Sequence, residues 1–152
     1  MLMYRREFLR MSQTLTKAFV TMTQPLCEAA GLSRPAFTAL MYLGDYPEKN
    51  TSKDISEHCD IRPSLVSMYI EQMVSQGYVK RQSVPEDRRK VRLILTEKAQ
   101  TVYRQRNECM QKFIRLILEG VSEEEIRVWL HFSQTVSDNA NRLLQQMRVG
   151  EE

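Results

Sequence analysis

The sequence predicts a mainly α protein interrupted once by a small β-hairpin, and three observations carry that prediction. Apolar residues recur at three- and four-residue spacing over most of the 152 residues. The period drops to two in one stretch only, between Tyr78 and Leu95. The five glycines, Gly31, Gly44, Gly77, Gly120 and Gly150, each follow a periodic stretch, where a left-handed residue can close a helix.

The elements follow in order. Tyr4, Phe8, Met11, Leu15, Phe19 and Met22 form one stripe along a helix from Met3 to about Gln24, roughly 30 Å long at 1.5 Å per residue. Pro25 should end or kink it. A second helix spans 34–43, with Ser33 as its cap and Pro35 in its first turn. A third runs from Thr51 to Cys59, with Thr51 and Asp54 at capping-box spacing. A fourth spans 63–76 and stops at Gly77. Val79 to Val84 alternates as a strand, Pro85-Glu86-Asp87 is turn chemistry, and Val91, Leu93 and Leu95 place apolar residues on one face of a second strand. Thr96 and Glu97 open a fifth helix to about Glu119, and Ser122 with Glu123 to Glu125 opens a sixth, since hydroxyls cap and carboxylates suit a helix N-terminus.

This divides the chain into a central unit, 33–95, flanked by helical segments 1–32 and 96–152. The flanking helices carry long apolar stripes, among them Trp129, Leu130 and Phe132, that a single chain of this size has no room to bury. Self-association as a homodimer covers them most simply.

Composition narrows the class. With 42% hydrophobic and 27% charged residues the chain reads as globular. Its longest apolar run, Ala39 to Leu43, is five residues, far short of a membrane span. The first residues lack a secretory core, and Cys27, Cys59 and Cys109 are odd in number and widely spaced. Both features fit a reducing cytoplasm rather than a disulfide scaffold.

The net charge is only +3, but its distribution is uneven. Residues 78–95 hold Lys80, Arg81, Arg88, Arg89, Lys90 and Arg92 against Glu86 and Asp87, a local +4 on a near-neutral body. A positive hairpin of this kind is the footprint of a nucleic-acid contact. The two short helices before it read as a helix-turn-helix. In the second, Leu65, Val66, Tyr69, Ile70 and Met73 can pack inward, leaving Arg62, Ser64, Ser67 and Met68 near an exposed N-terminal half. That half of a recognition helix meets base edges in the major groove of double-stranded DNA.

Gly77-Tyr-Val-Lys-Arg81, Pro85-Glu-Asp-Arg-Arg89 and Leu93-Ile-Leu-Thr-Glu-Lys-Ala99 resemble, at matching spacing, the Gly-Leu-Val-x-Arg, Asp-x-Arg wing and Leu-Thr-Glu-x-Gly pattern of the MarR (multiple-antibiotic-resistance regulator) family. The resemblance covers essentially the whole chain. It implies a winged helix-turn-helix with N- and C-terminal dimerisation helices, working as a homodimeric transcriptional regulator, in many relatives a ligand-responsive repressor at a pseudo-palindromic operator. Carried over by position, Arg89 is the wing arginine that enters the minor groove and Asp87 orients the hairpin. Ser64 and Ser67 match recognition-helix positions that touch DNA, and Arg88, Lys90 and Arg92 lie near phosphates. Met68 and Gln72 depart from the pattern, standing where many relatives carry basic residues. Ala99 replaces the usual glycine.

The resemblance also implies a small aromatic or lipophilic effector, bound between the dimerisation helices and the winged unit. Its walls here would include Met11, Met41, Tyr42 and Phe113.

Other chemistries find little footing. The cysteines read as small hydrophobes. His58, Cys59 and Asp60 are consecutive and point apart on a helix, and His131 has Thr135 rather than a ligand at i+4, so no metal or cofactor is implied. Neither a phosphate loop nor a nucleophile elbow appears, which speaks against an enzyme. The rival function is a winged-helix protein-interaction module that has lost DNA affinity, which Met68 and Gln72 keep open.

Overall fold

The computed structural model of the chain describes residues 2–84 and 87–149; the side chains at 2–5, 84, 87–90 and 148–149 lie outside the described residues. Its order is α1 (Leu2–Ala29), α2 (Arg34–Asp45), α3 (Ser52–Cys59), α4 (Pro63–Ser75), β1 (Val79–Val84), β2 (Asp87–Leu95), α5 (Glu97–Ile117) and α6 (Glu123–Val149). Two compact units form, residues 1–113 and 114–152.

The core of the first unit gathers around α2. Ala36, Ala39 and Leu40 are fully buried there, packed with Ile55 of α3, Val66 and Met73 of α4, and Val79 and Leu93 of the hairpin. This is the small apolar centre on which a helix-turn-helix and its hairpin are built. The capping box on α3 forms as the spacing predicts: Thr51 Oγ1 accepts from the Asp54 N–H at 3.3 Å, and Asp54 Oδ2 accepts from the Thr51 N–H at 2.9 Å. A second one closes the start of α6, where Ser122 caps as the sequence suggests: Glu125 Oε2 accepts from the Ser122 N–H at 2.8 Å and the Glu125 N–H returns to Ser122 Oγ at 3.3 Å.

Four local expectations are corrected. Pro25 does not end α1, which continues to Ala29. Proline removes one N–H from the ladder, and the turn after it is closed by the Ala30 N–H donating to the Leu26 carbonyl at 3.0 Å and by burial of Cys27 and Ala30. Ser33 has the extended backbone of an N-cap, yet its hydroxyl caps nothing and donates to Gln72 Oε1 at 2.8 Å. Gly44 does not close a helix. It sits inside α2, where a Cβ would meet the Tyr103 ring at 2.4 Å, so close approach and not chain reversal calls for glycine. Leu65, expected to pack inward, is exposed, while Val66, Ile70 and Met73 are buried and Tyr69 is half-buried. Gly31, Gly77 and Gly120 have the positive φ that the sequence suggests, and Gly150 lies outside the described residues.

β1 and β2 pair antiparallel from Val79–Leu95 to Ser83–Val91 in one register. The next pair is Val84–Asp87, so β2 carries three more residues than β1 across this step, namely Arg88, Arg89 and Lys90. The hairpin thus ends in a bulge, which bends a strand and frees the extra residues from the ladder. Asp87, read as turn from the sequence, is the first residue of β2.

Candidate nucleic-acid interface

Three contacts fix the base of the hairpin. The Tyr78 hydroxyl, buried, donates to the Ala30 carbonyl at 3.0 Å, joining β1 to the end of α1. The Leu93 N–H donates to the Asn50 carbonyl at 2.8 Å, and Thr96 Oγ1 donates to the Gly77 carbonyl at 2.8 Å. Lys98 Nζ lies 4.3 Å from the centre of the Tyr78 ring and donates to the Gln76 carbonyl, a cation–π contact over the same corner. The hairpin therefore projects from a rigid base.

α4 begins at Pro63, whose missing N–H costs nothing in a first turn. Burial of Val66, Ile70 and Met73 turns the opposite face outward, and Arg62, Ser64, Ser67 and Met68 are all exposed there. Arg92 on β2 is exposed as well. The structure brings four recognition-helix candidates onto one surface, next in the chain to the hairpin. Asp87, Arg88, Arg89 and Lys90 stand in β2 by their backbone, and their side chains lie outside the described residues.

Two residues take partners distant in the chain. Gln72, which departs from the family pattern, is half-buried, and its Oε1 accepts from both the Ser33 hydroxyl and, at 3.4 Å, the Ser33 N–H. Arg81 on β1 is held by Glu71 on α4 through two hydrogen bonds, one of them 3.3 Å long. Arg81 holds the Glu71 carboxyl below the usual carboxylate range. The ten-residue separation of this pair gives no periodic signal in the sequence, so it could be found only in the fold.

A second feature is a cavity of about 460 Å³ against α2. Met41 and Tyr42 line it, as do Phe19, Phe37, Tyr46 and His58. Met11 is exposed and is not a wall, and Phe113 reaches it only through Phe19, with ring centres 5.5 Å apart. The rings of Tyr42, Tyr46 and His58 pack at tilted angles, with centres 4.5 to 5.2 Å apart. Two arginines at the walls brace α2 at opposite ends. Arg34 donates to Thr23 Oγ1 at 3.0 Å and to the Val20 carbonyl at 3.2 Å, while Arg106 grips Asp45 with bonds of 2.9 and 3.2 Å. The Tyr103 hydroxyl also donates to Asp45, at 2.9 Å.

Burial pushes the Cys27 and Cys59 thiols up, away from the reactive thiolate. Among the described residues no three His, Cys, Asp or Glu side chains gather as a metal site, and no helix is long and apolar enough to cross a membrane.

Comparison with known proteins agrees with this geometry. A MarR family model matches residues 30–90, the stretch that carries α2, α3, α4, β1 and the start of β2. The uncharacterised HTH-type transcriptional regulator YdgJ of Bacillus subtilis is 25% identical over 117 residues, which are 77% of this chain and 70% of the relative. Among solved structures, a MarR family protein from Bacillus stearothermophilus superposes with a TM-score of 0.78 at 19% identity, covering 93% of this chain and 98% of that one. A MarR transcriptional regulator from Methanosarcina mazei Go1 gives 0.74 at 22% identity, covering 90% and 99%.

Proposed function

We propose that the chain is a DNA-binding transcriptional regulator of the MarR family, whose model matches residues 30–90, and that it works as a homodimeric, ligand-responsive repressor in the cytoplasm. In this reading residues 33–95 meet DNA, and segments 1–32 and 96–152 join two copies. Each α4 enters a major groove of a pseudo-palindromic operator, its centre about one helical turn, ~34 Å, from its partner's. Arg62, Ser64, Ser67 and Met68 face the bases, Arg89 enters the flanking minor groove with Asp87 setting its approach, and Arg88, Lys90 and Arg92 meet phosphates.

The observation that carries the reading is the outward, uncharged N-terminal half of α4 beside a hairpin of net charge +4. A small aromatic or lipophilic effector would occupy the cavity walled by Met41 and Tyr42. It would act only through unequal affinity for the DNA-competent and incompetent arrangements of the dimer.

The test is selection of duplexes from a random DNA pool by the whole chain, then a titration of binding against salt. Phosphate contacts require affinity to fall steeply and log-linearly with salt. Absence of any salt-sensitive binding to duplex DNA would leave a protein-interaction module instead.

A further inference from the structure

Beyond Arg62 at its N-cap, the exposed face of α4 is short of the groups that read guanine and adenine. Residues 63–70 are Pro, Ser, Leu, Val, Ser, Met, Tyr and Ile, with no charged or amide side chain among them. Next along, Glu71 is bound by Arg81, and Gln72 is half-buried against Ser33. The outward positions inside the first two turns are therefore Ser64, Leu65, Ser67 and Met68. Ser67 leans back toward its own helix, with its hydroxyl 3.5 Å from the Pro63 carbonyl. Met68 is 53% exposed and Leu65 40%, although Met73 and Val66 on the opposite face are sealed in the core.

We propose that Met68, flanked by Leu65, reads the 5-methyl group of thymine in the major groove, so that α4 selects its site through apolar contact rather than through paired hydrogen bonds. This rests on the DNA-binding reading above and names what the helix recognises. Of the four bases only thymine displays a methyl group in that groove, and an apolar side chain has nothing else there to discriminate. Methionine suits the task, because its unbranched thioether can shift to meet a methyl group whose position varies with the local twist of the duplex. Serine hydroxyls donate or accept with almost any base edge, so they permit close approach without choosing. The net positive hairpin that follows α4 supplies attraction to the polyanion, and the apolar pair is left to supply choice.

The experiment uses duplexes that the whole chain recovers from a random pool, with each thymine replaced singly by deoxyuridine, which lacks only the methyl group. Withdrawing one methyl-sized contact from apolar burial should weaken binding about fourfold, or ~0.8 kcal/mol. That loss is expected at one or two thymines in each half-site. Met68→Ala should bind the thymine and uracil duplexes equally at those positions and melt at the wild-type temperature, because the side chain is exposed. Uracil duplexes that bind the wild type as tightly as the parents overturn the proposal, and so does a loss that persists unchanged in Met68→Ala. If the pool yields no duplex at all, the DNA-binding reading itself falls and takes this one with it.

Discussion

Arg81 on β1 and Glu71 on α4 form a two-point hydrogen-bonded ion pair, with Nη1 donating to Oε2 at 3.3 Å and Nη2 to Oε1. The pair ties the first strand of the wing to the recognition helix. It also neutralises the acidic residue on the outward side of α4, where a bare carboxylate would face incoming phosphates. Arg81 is therefore a brace for the interface and is not one more free cation at its rim.

A double-mutant cycle tests that role. Arg81→Gln leaves the Glu71 carboxylate unpaired and should weaken DNA binding more than Glu71→Gln does, while the double variant should recover much of the loss. Additive losses would show that the two residues act separately. The pH dependence has a definite sign. Glu71 is held below its ordinary value of 4.5 by the Arg81 hydrogen bonds, so the stabilising effect is present above that value and is lost as pH falls through the folded-state pKa. Thermal melts of wild type and Arg81→Gln should differ at neutral pH and converge in acid.

The wing offers a second test. Arg88, Arg89 and Lys90 are the extra residues in the β2 bulge, released from strand pairing. Arg89→Ala is predicted to cost about 1–3 kcal/mol in binding to the selected duplex and to leave the dimer intact. Fluorescence anisotropy reads the affinity and sedimentation reads the assembly. Equal affinities in wild type and variant would remove the wing arginine from the mechanism.

Much of this architecture was legible in the sequence because its signals are local. The Thr51–Asp54 capping box, the stop at Gly77 and the switch to period two after Tyr78 each depend on neighbours within a few residues. What stayed hidden depends on partners distant in the chain. Gln72 could not be placed because nothing nearby reveals that Ser33, 39 positions away, would claim it. Gly44 looked like a helix end because the Tyr103 ring that excludes a side chain arrives from α5. Of the four cavity walls that the family resemblance implied, Met41 and Tyr42 line it and Met11 and Phe113 do not, while the neighbouring His58 and the bracing Arg34 and Arg106 come from tertiary packing.

Gly44→Ala gives a prediction whose sign separates two explanations. An ordinary glycine inside a helix is improved by alanine, by roughly 1 kcal/mol. Here the new Cβ would lie 2.4 Å from the Tyr103 ring, which is anchored through its hydroxyl to Asp45. Gly44→Ala should therefore destabilise the protein, by about 1–3 kcal/mol as for other overpacked sites. In a Tyr103→Ala background the same change should be neutral or stabilising. Denaturant melts of the four variants decide it, and a stabilised single variant would show that α5 is not seated against α2 at this point.

The last prediction concerns the apolar residues that one copy leaves uncovered. α6 contains no buried residue among the described ones, and Trp129, Leu130, Phe132, Leu143, Leu144 and Met147 are each between 43% and 60% exposed. α1 likewise exposes Phe8, Leu9 and Met11. Apolar surface removed from water stabilises by about 25 cal/mol per Å², so large side chains left open on a 27-residue helix favour association strongly. A second copy of the chain is the proposed cover. Sedimentation at micromolar concentration should then give a dimer, and Trp129→Glu, by driving a carboxylate into that interface, should give a monomer or an unfolded chain. DNA affinity should fall with it, because two recognition helices held together bind a paired site far more tightly than either does alone. A Trp129→Glu protein that remains a DNA-binding dimer would show that this face of α6 is not the interface. A well-folded wild-type monomer would remove the dimer from the mechanism altogether.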